Sequence, residues 1–168
     1  MVKLKDITTF VIHLKRDIGR QANIIKIKNT LPNVIIFDAI DKQTLKWNDW
    51  KSLKKFHRLP SHQNKSIVLG EVALSLTHLK LLNYIVDNQL DNVLVVEDDV
   101  IINKEIPATL PITDEYLYYM GGHIWNYNIW GAFAILYPSW KKVKEMLKIL
   151  EQPIKFRAFD SMIKRDIL

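Results

Sequence analysis

The chain has 168 residues, of which 48% are hydrophobic and 25% charged, with no cysteine and a formal net charge of +6. This composition argues against disorder, and the lack of cysteine excludes disulfide staples, zinc–thiolate centres and thiol catalysis. The length suits one domain around one core, and no apolar run approaches the ~20 residues of a membrane span.

The opening MVKLKDITTF carries an early acid and no long apolar stretch, so neither a leader nor an anchor is expected, and a cytoplasmic protein fits. Thr8 to Leu14 is apolar and β-branched and predicts a first strand. Asp17 is placed to cap a helix over residues 18–29, which Pro32 ends. Arg16 and Arg20 stand at this strand-to-helix junction, where a helix N-terminus and guanidinium groups suit a phosphate or a base; solvation, or pairing with Asp17, is the plainer alternative. Asn33 to Phe37 predicts a second strand. Residues 38–69 are irregular and lysine-rich, with a short helix expected near residues 48–56. Trp47 and Trp50 there could stack on a sugar or base, or simply pin the loop. Residues 1–65 hold 14 basic against 5 acidic side chains, and residues 66–168 hold 10 against 13. A basic part beside an acidic centre could steer an anionic ligand or touch an anionic membrane surface, or merely keep the chain soluble.

Gly70 is read as the opening of a helix over GEVALSLTHLKLLNYIVDNQ, apolar nearly all round and so largely buried. One polar stripe crosses it: Glu71, Ser75 and His78 share a side. Such groups need partners, from a ligand pocket or from backbone. Next comes VLVVEDDV, an apolar run that ends abruptly in Glu97, Asp98 and Asp99. It predicts a buried strand whose carboxyl end reaches the sheet edge where ligands bind in open α/β folds. Three neighbouring carboxylates raise one another's pKa unless a cation offsets them. Mg2+ or Mn2+, bridging to a substrate diphosphate, is the functional reading, and a solvated acidic turn is the alternative. Further on, residues 116–120 predict a strand that stops at Gly121-Gly122, and HIWNYNIW is a candidate wall of a sugar site. Residues 132–137 predict another strand, Ser139 caps a helix ended by Pro153, and Asp160 opens a last amphipathic segment. Strands alternating with helices predict an α/β sandwich around a mostly parallel sheet. No GxGxxG, Walker A loop or GxSxG is present.

Taken together, LGEVALSLTHLKLL and VLVVEDDV resemble glycosyltransferase family 25, which includes lipooligosaccharide and collagen galactosyltransferases. The family's Gly-Glu and Ser-His on one helix match Gly70, Glu71 and His78, with Thr77 where serine is usual. Its acidic strand end matches Glu97, Asp98 and Asp99. FVIHLKRDIGR resembles the family's opening strand and arginine turn, with His13 where asparagine is usual, and Asp160 falls near a late aspartate. The resemblance implies a GT-A (Rossmann-like) fold, a UDP-sugar donor with UDP-galactose as first guess, Mn2+ or Mg2+, and inverting transfer to a glycan or glycoconjugate hydroxyl. It implies Asp99 as metal ligand, Glu97 at the ribose or the metal, and Asp98 as a weaker partner. Arg16 and Arg20 would meet the nucleotide, Glu71 and His78 would line the donor pocket, and Asp160 would be the acceptor base or a helix cap.

The chain is shorter than the family's usual domain and stops soon after Asp160, so a C-terminal strand or lid is expected to be missing. That motivates a competing expectation, a non-catalytic relative that binds sugar nucleotide or a partner. Nucleic-acid binding through the basic first third is not expected, since no motif supports it and the acidic strand end would repel phosphate.

Overall fold

A computed structural model describes residues 1–46, 65–125, 128–150 and Phe159. The strands are β1 (Val2–Lys3), β2 (Thr8–His13), β3 (Val34–Asp38), β4 (Val93–Glu97), β5 (Thr109–Leu110), β6 (Tyr118–Trp125) and β7 (Asn128–Tyr137). The helices are α1 (Gln21–Thr30), α2 (Lys65–Asp87) and α3 (Trp140–Leu150). Five strands form one sheet in the order β3-β2-β4-β7-β6, while β1 and β5 make a separate antiparallel pair.

The predicted parallel arrangement holds for β3, β2 and β4, with Phe10 opposite both Ile35 and Val95. The other half of the sheet is antiparallel, because β7 returns from β6 as a hairpin and needs no helical crossover. The result is a mixed α/β sheet.

The central strands β2 and β4 are mostly apolar because both of their faces are covered. Phe10, Ile12, Val93, Val95, Ile135 and Tyr137 pack against Leu81, Leu82 and Ile85 of α2 and Val143, Met146 and Leu147 of α3. The alternate residues Val11, Leu94, Val96, Ala134 and Leu136 pack with Ile27 of α1, Leu31, Ile7 and Leu110. The strand period of two therefore divides the core into two layers. Burial pushes the phenol of Tyr137 well above its ordinary range, and its hydroxyl has no hydrogen-bond partner among the described residues.

Several boundaries differ from expectation. Asp17 does not cap a helix: residues 18–20 form a 3-10 turn first, and the Asp17 side chain makes no cap bond. Its carboxylate is instead drawn to within 3.9 Å of Arg20 Nε. After α1, Asn33 takes the left-handed conformation (φ 46°), and its Nδ2 donates to the carbonyls of Lys5 at 2.8 Å and Ile7 at 3.0 Å. Gly70 does not open α2, which begins at Lys65. A glycine weakens a helix by roughly 1 kcal/mol and does not stop one whose other residues pack.

β6 does not stop at Gly121-Gly122 but runs through both, with register irregularities between Tyr119 and Gly121 and between Gly121 and His123. Pairing with β7 carries it onward, and glycine commonly marks such a bulge. Residues 123–125 and 128–130 of the aromatic stretch thus lie on paired strands. Ser139 does cap α3, its Oγ accepting from the Lys142 N–H at 3.3 Å. Trp47, Trp50, the short helix expected near 48–56 and the last segment from Asp160 lie outside the described residues.

Candidate functional site

The acidic strand end is held by three backbone anchors. Asp98 and Asp99 form the corner of a turn closed by the Val100 N–H donating to the Glu97 carbonyl at 3.2 Å. The Asp98 N–H donates to the Ile12 carbonyl at 3.1 Å, which fastens the turn to the end of β2. On the α1 side, Asn23 Nδ2 donates to the carbonyls of Asp98 at 2.8 Å and Val100 at 2.9 Å.

The side chains are organised by their charges. Asp98 Oδ2 is 2.7 Å from Nδ1 of the buried His13, and His13 Nε2 is 3.4 Å from Gln21 Nε2. The amide nitrogen can only donate, so His13 Nε2 accepts and Nδ1–H donates to Asp98; one ring proton satisfies the chain. Arg20 spans the turn, with Nε 3.9 Å from Asp98 Oδ1 and a terminal nitrogen 3.5 Å from Asp99 Oδ2. These contacts are long and half-exposed, so each contributes little to stability and leaves the guanidinium free to meet another anion. Burial, and then the Glu97 charge, lifts the Asp99 carboxyl above the usual carboxylate range; Arg20 opposes this and Asp98 adds to it. The turn carries more negative charge than its cation neutralises.

Helix α2 brings a second set of groups to Glu97. His78 is 1% exposed, and its Nε2 lies 3.9 Å from Glu97 Oε1 with no hydrogen-bond partner among the described residues. Its ring stacks on Phe159, with centroids 3.9 Å apart and planes 9° from parallel. Ser75 Oγ is likewise buried without a partner among the described residues. Thr77 is satisfied: Oγ1 donates to the Ala73 carbonyl at 2.7 Å and accepts from the Ile40 N–H at 2.9 Å, tying α2 to the segment after β3. Glu71 is half-buried in the second turn of the same helix.

The two arginines part company. Arg20 faces the acidic turn, whereas Arg16 makes a two-pronged contact with Asp41, its second nitrogen at 3.2 Å. The Gln43 N–H first, and Arg16 next, hold the Asp41 carboxyl below its ordinary range. Asp160 lies outside the described residues. Sequence reasoning missed Asn23, Gln21 and the partner role of His13. A lone asparagine in an amphipathic helix gives no local sign that it reaches a turn 75 residues away.

The donor set suits a hard divalent cation, being all carboxylate oxygen around an under-neutralised turn. Among the described residues, no three such side chains converge into a protein-only cage. Mg2+ and related ions commonly take one or two carboxylates and complete their shell with water and substrate phosphates.

An acidic turn and an arginine stand at the carboxyl ends of the parallel strands of this mixed α/β sheet, the edge where ligands bind in open α/β folds. The sequence profile described as Glycosyltransferase family 25 (LPS biosynthesis protein) matches residues 6–160, and the chain belongs to that family. Membership gives the class of activity, glycosyl transfer from a sugar donor to a glycan acceptor. A comparison with curated proteins returns no match. Among the described residues no helix is long and apolar enough to cross a membrane.

Proposed function

We propose that the chain moves a sugar from a UDP-sugar, UDP-galactose being the first donor to test, to a glycan hydroxyl with inversion. The sheet would serve as the core of a GT-A-type fold. The observation that carries this reading is the Glu97-Asp98-Asp99 turn, pinned by Asn23 and faced by Arg20. In the reaction the acceptor oxygen attacks the anomeric carbon, the bond to the diphosphate breaks and UDP leaves. The hydroxyl proton passes to a carboxylate, for which Asp160 is the candidate.

Arg20 would bind the diphosphate, and Asp99 and Glu97 would hold Mn2+ or Mg2+. Asp98, engaged by His13, would orient the turn and contribute less to the ion. When bound, the cation offsets the charge of the diphosphate leaving group. Glu71 and His78 would line the donor pocket, and the buried Nε2 of His78, without a hydrogen-bond partner among the described residues, supports this. Arg16, paired with Asp41, would act by fixing the segment after β3.

Calorimetric titration of UDP, with and without Mn2+, into the wild type and Asp99→Ala tests the reading. Metal-dependent binding in the wild type and its loss in the variant are expected. Failure of UDP to bind under either condition would overturn the donor assignment.

A further inference from the structure

Strand alternation sends the neighbours Glu97 and Asp98 to opposite faces of the sheet. Glu97 follows Val93 and Val95 and meets His78 of α2, whereas Asp98 follows Leu94 and Val96 toward α1. His13, the last residue of β2, follows Thr9 and Val11 on that second face, where Gln21 of α1 stands 3.4 Å from its Nε2. The two halves of the site are thus a buried histidine with Asp98 on the α1 side and Glu97 with His78 on the α2 side.

Both oxygens of Asp98 are engaged where they stand. Oδ2 is 2.7 Å from His13 Nδ1, and Oδ1 is 3.9 Å from Arg20 Nε. Asp99 and Glu97 are held more loosely, Asp99 at 3.5 Å from Arg20 and Glu97 at 3.9 Å from His78 Nε2. The Asp98 side chain is 17% exposed and that of Asp99 38%, so solvent reaches the second more readily. An N–H donated to a carboxylate at short range fixes the direction of that carboxylate. On the other side, His78 Nε2 is buried beside Glu97 without a hydrogen-bond partner among the described residues, which leaves polar demand there for a ligand to meet.

We infer that His13 is a positioning residue that holds Asp98 on the α1 side and leaves Glu97 and Asp99 as the two carboxylates for a divalent cation. This rests on the cation part of the reading above. Two carboxylates suit an ion that arrives and leaves with a diphosphate, whereas a third would raise the affinity for the bare ion. His13 thereby makes the site wait for the nucleotide.

The test is titration of Mn2+ alone, read from the electron paramagnetic resonance of the free ion, into the wild type, His13→Leu and His13→Asn. Leucine cannot donate, so Asp98 is released; the asparagine amide can still donate to it. His13→Leu is expected to bind Mn2+ at least about tenfold tighter than the wild type and to gain less from added UDP, since affinity follows the number of charged ligands. His13→Asn is expected to restore weak binding that UDP strengthens. Asp98→Asn, which keeps His13 in place, covers the case in which His13→Leu does not fold. It removes a charge but no ligand, so with UDP present it is expected to weaken Mn2+ binding at least about tenfold less than Asp99→Asn does. Unchanged or weaker Mn2+ binding in a folded His13→Leu protein, no return in His13→Asn, or equal losses in Asp98→Asn and Asp99→Asn would overturn the inference. Tighter Mn2+ binding in His13→Leu, reversed in His13→Asn, in a protein that binds no UDP would uphold the role of His13 and sink the donor reading.

Discussion

Asn23 is the side chain on which the acidic turn hangs, and its replacement gives a prediction with a definite size. Its amide donates to two carbonyls, at 2.8 and 2.9 Å, and both belong to the turn. A net contribution of about 0.5–1.5 kcal/mol per bond gives about 2 kcal/mol for the pair. Alanine is the better helix former by up to about 0.7 kcal/mol, so Asn23→Ala should lose about 1.5 kcal/mol overall. For a chain of this size that lowers Tm by about 3–6 °C, readable by circular dichroism at 222 nm. Asn23→Asp sharpens the test. The aspartate is the same size but only accepts, so it would face two carbonyls without a proton and add charge beside Asp98 and Asp99. It should melt below Asn23→Ala, and by more at neutral pH than at pH 4. UDP affinity should fall in both variants as the turn loosens. An Asn23→Ala protein as stable as the wild type, or an Asp variant as stable as the Ala variant, would refute the reasoning.

Gly70→Ala should stabilise by about 0.5–1 kcal/mol, because residue 70 is inside α2 and, among the described residues, the new methyl would meet only the flexible Lys42 Cδ at 3.9 Å. A drop in Tm would show that the close packing has been misjudged. Tyr137→Phe removes a buried hydroxyl without a partner among the described residues, and should be neutral or stabilising by about 1 kcal/mol in a urea melt. Because burial raises the Tyr137 phenol, its neutral form contributes stability that is fully present below about pH 10 and lost above it. The wild type should therefore lose stability more steeply than Tyr137→Phe as pH climbs past that value; parallel curves would rule this out. Asp41 has the opposite sign: its lowered carboxyl stabilises above the ordinary value of 3.8, and the contribution is lost as pH falls through the lowered one. In Arg16→Leu, carbon-detected NMR titration should find Asp41 shifted upward yet still below 3.8, since the Gln43 N–H remains. No upward movement would mean that Arg16 has little hold on it.

Sequence periodicity made some of this legible and left the rest hidden, for physical reasons. β2 and β4 could be read because strands covered on both faces are continuous apolar runs, and a run that ends in Glu97-Asp98-Asp99 has to surface there. Ser139 was legible because an N-cap is a local interaction. The start of α2 was misjudged because glycine is a weak helix breaker whose effect depends on the packing of its neighbours. The β6–β7 hairpin was split into pieces because two adjacent glycines resemble a turn until a partner strand pairs with them. In the site, the acidic turn, Arg20 and His78 came from sequence. Their connections did not, since His13 and Asp98 are 85 residues apart and no short-range pattern encodes that distance.

The register of β7 shapes the way in to the acidic edge. Its pairing with β4 ends at Val96 opposite Ala134, yet β7 begins at Asn128 and stays paired with β6 as far as Trp125. The residues of β7 ahead of Ala134 therefore carry a two-stranded ribbon beyond the last rung of β4 by roughly 20 Å of strand length. On the opposite flank the sheet ends level with the turn, where His13 pairs with Asp38. The edge is thus a ledge with a parapet along one side. Among the described residues that ribbon walls the edge on the β7 side, and a long rigid glycan lying across the strands would meet its backbone.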